Sequence, residues 1–153
     1  MTAYIAFGSA PVGKALFLAL FEQARSIDLV GHSRNADEAI AQIRREKPQL
    51  VIVEEILTHG WGMDVVESLG DHKGTRALVM ISTAPLPREP QVYREQNIDL
   101  WLQFPQDYEQ LRSALHQLSK NDPVGAIAAW REKLLEVVSA HDRPANPGRA
   151  VDE

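Results

Sequence analysis

Leu50-Val51-Ile52-Val53 is a run of four apolar residues, three of them β-branched, set between Lys47-Pro48-Gln49 and Glu54-Glu55. The run is short and does not alternate with polar residues, which suits a central parallel strand covered on both faces. The chain on either side agrees. Upstream, Asn35 stands as a helix N-cap with Glu38 three residues on, a capping-box pattern. The helix it opens carries Ala36, Ala39, Ile40 and Ile43 on one face and Arg44, Arg45, Glu46 and Lys47 at its end, where Pro48 stops it. Further upstream, Ile27–Val30 reads as a strand closed by Gly31. Pro11 suits the first turn of a helix to about Arg25, with Val12, Leu16, Ala19 and Leu20 as its stripe. Tyr4–Phe7 is a strand that ends at Gly8.

Downstream of the central run comes a loop with His59, Gly60, Trp61 and Gly62, then a short helix, Met63–Leu69. Ala77–Ile81 is the next buried strand, followed by Ser82 and Thr83. Pro85, Pro87 and Pro90 leave room only for a short helix around 91–96. Leu100-Trp101-Leu102 is a fifth strand ending at Phe104-Pro105, and Asp107–Ser119 is a helix with Leu111, Ala114, Leu115 and Leu118 inward. Strands alternating with helices build a parallel sheet with helices on both faces. The expected fold is therefore α/β, a flavodoxin-like five-stranded parallel sheet of order 2-1-3-4-5, over residues 1–120. A linker and an extra C-terminal amphipathic helix fill 121–141. Ile127, Trp130, Leu134, Val137 and Val138 form its apolar stripe. Residues 142–153 are polar with two prolines and are expected to be a disordered tail.

Composition sets the outer bounds. The chain has 153 residues, a formal net charge of −5 and no cysteine; 44% of residues are hydrophobic and 24% charged. Such a length buries a core without staples. The lack of cysteine excludes disulfides, thiolate zinc sites and cysteine nucleophiles. Mild acidity argues against a nucleic-acid surface. The longest apolar stretch, Ala15–Phe21, is too short to span a bilayer. The N-terminus has no basic region before its first strand, so no signal peptide is expected and a cytoplasmic protein is.

Taken together, the segments Tyr4-Ile5-Ala6-Phe7-Gly8-Ser9-Ala10-Pro11-Val12, Ile27–Gly31, Asn35–Ala39, Lys47–Val53 and Leu57–Leu69 resemble the receiver domain of bacterial two-component response regulators, over roughly residues 3 to 119. The resemblance implies a phosphorelay protein. A receiver of the usual kind phosphorylates an aspartate at the end of its third strand, holds Mg²⁺ with an acidic pair after its first, and places a lysine before a proline after its fifth. In this chain the acidic pair falls on Gly8 and Ser9, the acceptor on Glu54 and the lysine on Phe104. Only Ser82, at the hydroxyl switch position, and Trp101, at the aromatic switch position, keep the family's character.

Mg²⁺ needs oxygen ligands, and phosphoryl transfer needs metal and cation to neutralise charge. The expectation is a pseudo-receiver: a non-enzymatic, single-domain response regulator without aspartyl phosphorylation, with no cofactor and no Mg²⁺. It would act through a protein partner (a kinase, a regulator or another receiver) or as a homodimer. No nucleic acid or membrane partner is expected, because the C-terminal helix is too short for a winged-helix, helix-turn-helix or antitermination-type output module.

Several residues have two readings. Glu54 is either a polar residue at a strand end in a solvated pocket or a mimic of a phosphorylated side chain, which would want a cation nearby. Glu54, Glu55 and Ser82 are the candidate acceptors if an unusual phosphorylation survives. Gly8 to Lys14 fits the spacing G-x-x-x-x-G-K of a nucleotide-binding P-loop, although Ala15 replaces the residue that ligates Mg²⁺. His59, Trp61 and Asp64 lie together, and His32 joins them only if the fold allows; the bland reading is an exposed loop with Trp61 over apolar surface. Arg88, Arg94, Asp99 and Glu109 stand where receiver dimers form cross-subunit pairs. The extra helix, with Ile127, Trp130, Leu134 and Val138, either folds back on its own domain or meets a partner.

Overall fold

The computed structural model of the chain describes residues 1–69, 77–83 and 98–118. Among them the elements run β1 (Thr2–Ala6), α1 (Ala10–Phe21), β2 (Asp28–Ser33), α2 (Ala36–Glu46), β3 (Leu50–Glu54), α3 (Gly62–Leu69), β4 (Ala77–Ser82), β5 (Leu100–Gln103) and α4 (Tyr108–Leu118). The expected short helix at 91–96, the helix over 124–140 and the tail from 142 lie outside the described residues, as do Arg88 and Arg94.

The five strands form one parallel sheet in the order β2-β1-β3-β4-β5, the flavodoxin-like order expected for a doubly wound chain. β3 and β4 are buried at every position, which is why their sequences carry no alternation. Tyr4, Ile5, Leu50, Ile52, Leu78 and Met80 are among the largest fully buried side chains. They meet Leu16 from α1 and Leu111 and Leu115 from α4 on one side, and Ile43 from α2 and Val65 and Val66 from α3 on the other.

The helix ends follow their local chemistry. The Asn35 side chain accepts from the Glu38 amide at 3.2 Å, as a cap should. The reciprocal half of the expected box is not formed: the Asn35 amide donates to the Ser33 hydroxyl at 3.0 Å, and the Glu38 carboxylate accepts from Gln42 one turn on. Lys47 closes α2 in the left-handed region, φ 48°, immediately before Pro48.

Most boundaries shift by a residue or two from the sequence reading, β1 being Thr2–Ala6 rather than Tyr4–Phe7, and two shifts have a physical reason. α1 ends at Phe21 rather than Arg25, and Gln23 and Ala24 bond back three residues in tighter turns. β2 does not close at Gly31 but runs through it to Ser33. The ring of Tyr4 crosses the strand there; a Cβ on Gly31 would lie 2.9 Å from it. Glycine thus keeps β2 paired past a register shift between Ala3 and Tyr4.

Candidate functional site

The carboxyl ends of β1, β3, β4 and β5 converge on the place where a parallel α/β sheet presents its site. Glu54 is the last residue of β3 and is 4% exposed. Its Oε1 accepts from the amide of Gly8 at 2.7 Å and of Ser9 at 3.0 Å. The Ser9 hydroxyl lies 3.1 Å from Oε2 and 3.3 Å from Oε1. Ser9 is the N-cap of α1, yet its side chain makes no cap bond to that helix. The carboxylate therefore does what a cap does: it accepts from the amides that precede α1, at the positive end of the helix dipole. The reading of Glu54 as a residue in a solvated pocket is corrected by this burial.

The same loop is gripped from its other side. The Gly8 carbonyl accepts from the Arg34 guanidinium and, at 3.3 Å, from the Thr58 hydroxyl. Arg34 also lies 5.4 Å above the ring of Phe7. Arg34 and Thr58 were not legible as site residues, since each stands in a loop with no motif around it. The loop after β3 passes so close that a Cβ on Gly8 would lie 2.1 Å from the Ile56 carbonyl oxygen. An aspartate cannot occupy that position without moving backbone.

The β4–β5 side is different. Ser82 is buried at the end of β4, and its carbonyl accepts from the Phe104 amide at 2.7 Å. Trp101 is buried in β5. Phe104 precedes Pro105 across a cis peptide bond and packs edge-on against Tyr108, with ring centroids 6.2 Å apart. The Tyr108 hydroxyl donates to the Ala15 carbonyl of α1 at 3.0 Å. Burial, with the carboxylates of Glu22 and Glu109 nearby, raises the Tyr108 pKa above the ordinary phenol value.

Three other readings are settled by placement. Ala10 to Lys14 are already helical, so no loop remains to cradle a phosphate, and the Gly8 and Ser9 amides are engaged by Glu54. The P-loop spacing is a coincidence of sequence. Asp64 accepts from the Trp61 amide at 3.1 Å, at the start of α3. The loop is exposed, as its bland reading expects: Trp61 is 58% exposed and His59 is exposed too. His32 stands with Phe7 and Phe17 instead of joining them. Among the described residues no group of three or more His, Asp or Glu could hold a metal ion. Asp99 accepts from the Leu78 amide and Glu109 pairs with Arg112, so both are engaged within the chain. No described helix is long and apolar enough to cross a membrane.

No family model and no curated protein matches the chain. Solved structures do. The signal receiver domain of the response regulator NarL from Mycobacterium tuberculosis superposes with a TM-score of 0.64 at 14% identity, over 79% of this chain and 97% of that one. The receiver domain of RcsB from Salmonella enterica serovar Typhimurium gives 0.65 at 16%, over 83% and 97%. The response regulator domain of Thermotoga maritima CheB gives 0.64 at 15%, over 80% and 98%. The chain has the fold of response-regulator receiver domains.

The Mg²⁺ that such a fold implies does not suit the residues present. Gly8 and Ser9 turn N–H and O–H donors toward the carboxylate where a cation would need oxygen acceptors.

Proposed function

We propose that this domain is a pseudo-receiver, a signal-transduction module that works through protein contacts without phosphoryl transfer. The observation that carries it is the saturation of Glu54. In a working receiver the carboxylate at the end of β3 must be reachable by a phosphodonor and by Mg²⁺. Here it is buried and committed to Gly8 and Ser9. Phe104 supplies no cation where a lysine would neutralise transferred charge. The carboxylate fixes the β1–α1 loop in one arrangement, so the surface around it is constant rather than switched. The partner would be another signalling protein, such as a kinase, a regulator or a second receiver.

The test is incubation of the full chain with acetyl phosphate and Mg²⁺, followed by intact-mass measurement. The expected result is an unmodified chain. A stoichiometric phosphoryl adduct would overturn the proposal: hydroxylamine-labile if it is an acyl phosphate on Glu54 or Glu55, hydroxylamine-stable if it is a phosphoester on Ser82.

A further inference from the structure

Three helices of the described structure show water a polar face: α2 carries Asp37, Glu38, Arg44 and Arg45, α3 carries Asp64 and Glu67, and α4 carries Glu109, Arg112 and His116. α1 does not. Its only charged residue is Lys14, and from Ala15 to Phe21 it is apolar all round. A helix apolar on every side is normally covered on every side. Val12, Leu16, Ala19 and Leu20 face the core, but Leu18 is 53% and Phe21 77% exposed. Beside Phe21 an open, mostly apolar groove runs between the end of α1 and the β2 edge, lined by Phe17, Leu20, Ala24, Ile27 and Leu29 with one charged residue, Asp28.

We infer that residues 124–140 of the same chain dock on this apolar face of α1. The sequence gives the segment one apolar stripe, Ile127, Trp130, Leu134, Val137 and Val138, at helical spacing, which itself requires a cover. The fold delivers it to the right place. α1 and α4 each follow a strand of one parallel sheet, so they run in the same direction and end at the same edge. They are neighbours: Tyr108 bonds Ala15, and Arg112 pairs with Glu22 just beyond the end of α1. The described chain ends at Leu118 beside that edge. The residues between Leu118 and Val124 span up to roughly 20 Å when extended. Packed helices lie about 8–10 Å apart, so the outer face of α1 is within reach.

A second copy of the chain is the weaker occupant. Two exposed side chains and one groove fall short of the roughly 800 Å² per partner that stable dimers bury. A tethered segment needs less area, because its effective concentration is about millimolar. The inference is independent of the phosphorylation chemistry and stands or falls by itself.

The test uses the full chain with Trp61→Phe, which removes the exposed indole and leaves buried Trp101 as an internal reference. Acrylamide quenching of Trp130 is taken as the difference from the chain that also carries Trp130→Phe. Trp130 is expected to be nearly as protected as Trp101, at every dilution and in a monomer by sedimentation. Phe21→Asp, or independently Leu18→Asp, is expected to raise Trp130 quenching several-fold and leave Trp101 unchanged. Both replaced side chains are exposed, and far-UV circular dichroism checks that each variant folds. The inference is overturned if Trp130 is as open as a free indole in the parent chain. It is equally overturned if neither variant changes its protection, or if protection appears only with dimerisation.

Discussion

The two halves of the candidate site solve one problem in opposite ways. At the ends of β1 and β3, amides, a hydroxyl and a carboxylate close on each other in a polar knot of Gly8, Ser9 and Glu54. At the ends of β4 and β5, Ser82 and Trp101 are buried and Phe104 lies against Tyr108. In a phosphorylating receiver both halves would meet on one phosphoryl group. Here the Glu54 carboxylate is satisfied within the first half alone. The difference teaches that a parallel sheet fixes where loop ends arrive but not what they must bind. Donors buried there need an acceptor from somewhere, and β3 supplies it.

The largest effect is expected at Gly8. The Ile56 carbonyl leaves no room for a Cβ, so Gly8→Ala should cost about 3 kcal/mol or more in urea denaturation. Gly8→Asp should cost more, since it adds a second carboxylate beside Glu54, and should gain no Mg²⁺ affinity by calorimetry. A Gly8→Asp chain as stable as the parent would show that the loop after β3 yields easily and that the polar half is not closed.

Glu54 comes next. Glu54→Ala strands two amides and a hydroxyl in a buried place, at a cost of about 2–3 kcal/mol, whereas Glu54→Gln keeps one acceptor oxygen and should lose about 1 kcal/mol. Equal losses would mean that the charge, not the hydrogen bonding, holds the knot.

Much of this contrast was visible in the residues and some was not. The run Leu50–Val53 carried the fold because a strand buried on both faces cannot alternate; alternation of strands and helices made the sheet parallel, and its order was that of the flavodoxin-like pattern. That Gly8, Ser9, Glu54 and Phe104 are not an acidic pair, an aspartate and a lysine was equally plain. What Glu54 does instead was hidden, because two of its three donors are backbone amides, which no side-chain pattern records. Arg34 and Thr58 were hidden for the same reason: both bind the carbonyl of Gly8, across 26 and 50 residues of sequence. Gly31 misled because a glycine ends a strand as often as it lets a ring cross one.

A neutral buried pair on the other edge of β1 calibrates the polar knot. The Tyr4 hydroxyl donates to Gln42 at 2.5 Å, and burial, then the charge of Glu38, pushes its pKa up to about 12. The unfolded phenol ionises near pH 10. The folded chain thus holds its proton where the unfolded one has lost it, so this contribution is complete below pH 10 and is lost as pH rises toward 12. The unfolding free energy should fall through that window, by about 2–3 kcal/mol in total, and Tyr4→Phe should flatten the fall. An unfolding free energy that falls just as steeply in Tyr4→Phe would assign the alkaline sensitivity to other groups.

The smallest effect bears most directly on whether the halves are separate. Tyr108→Phe removes one hydrogen bond, to Ala15, and leaves the ring against Phe104, so it should cost about 0.5–1 kcal/mol. Combined with Glu54→Gln, the two losses should add within about 0.5 kcal/mol, because the residues share no partner. Both nevertheless act on α1, Glu54 at its first turn and Tyr108 at its middle. If the helix transmits strain between these points, the double variant will depart from additivity by more than about 1 kcal/mol. α1 would then be the element that joins the polar half to the apolar one, and a partner seated on that helix would feel both.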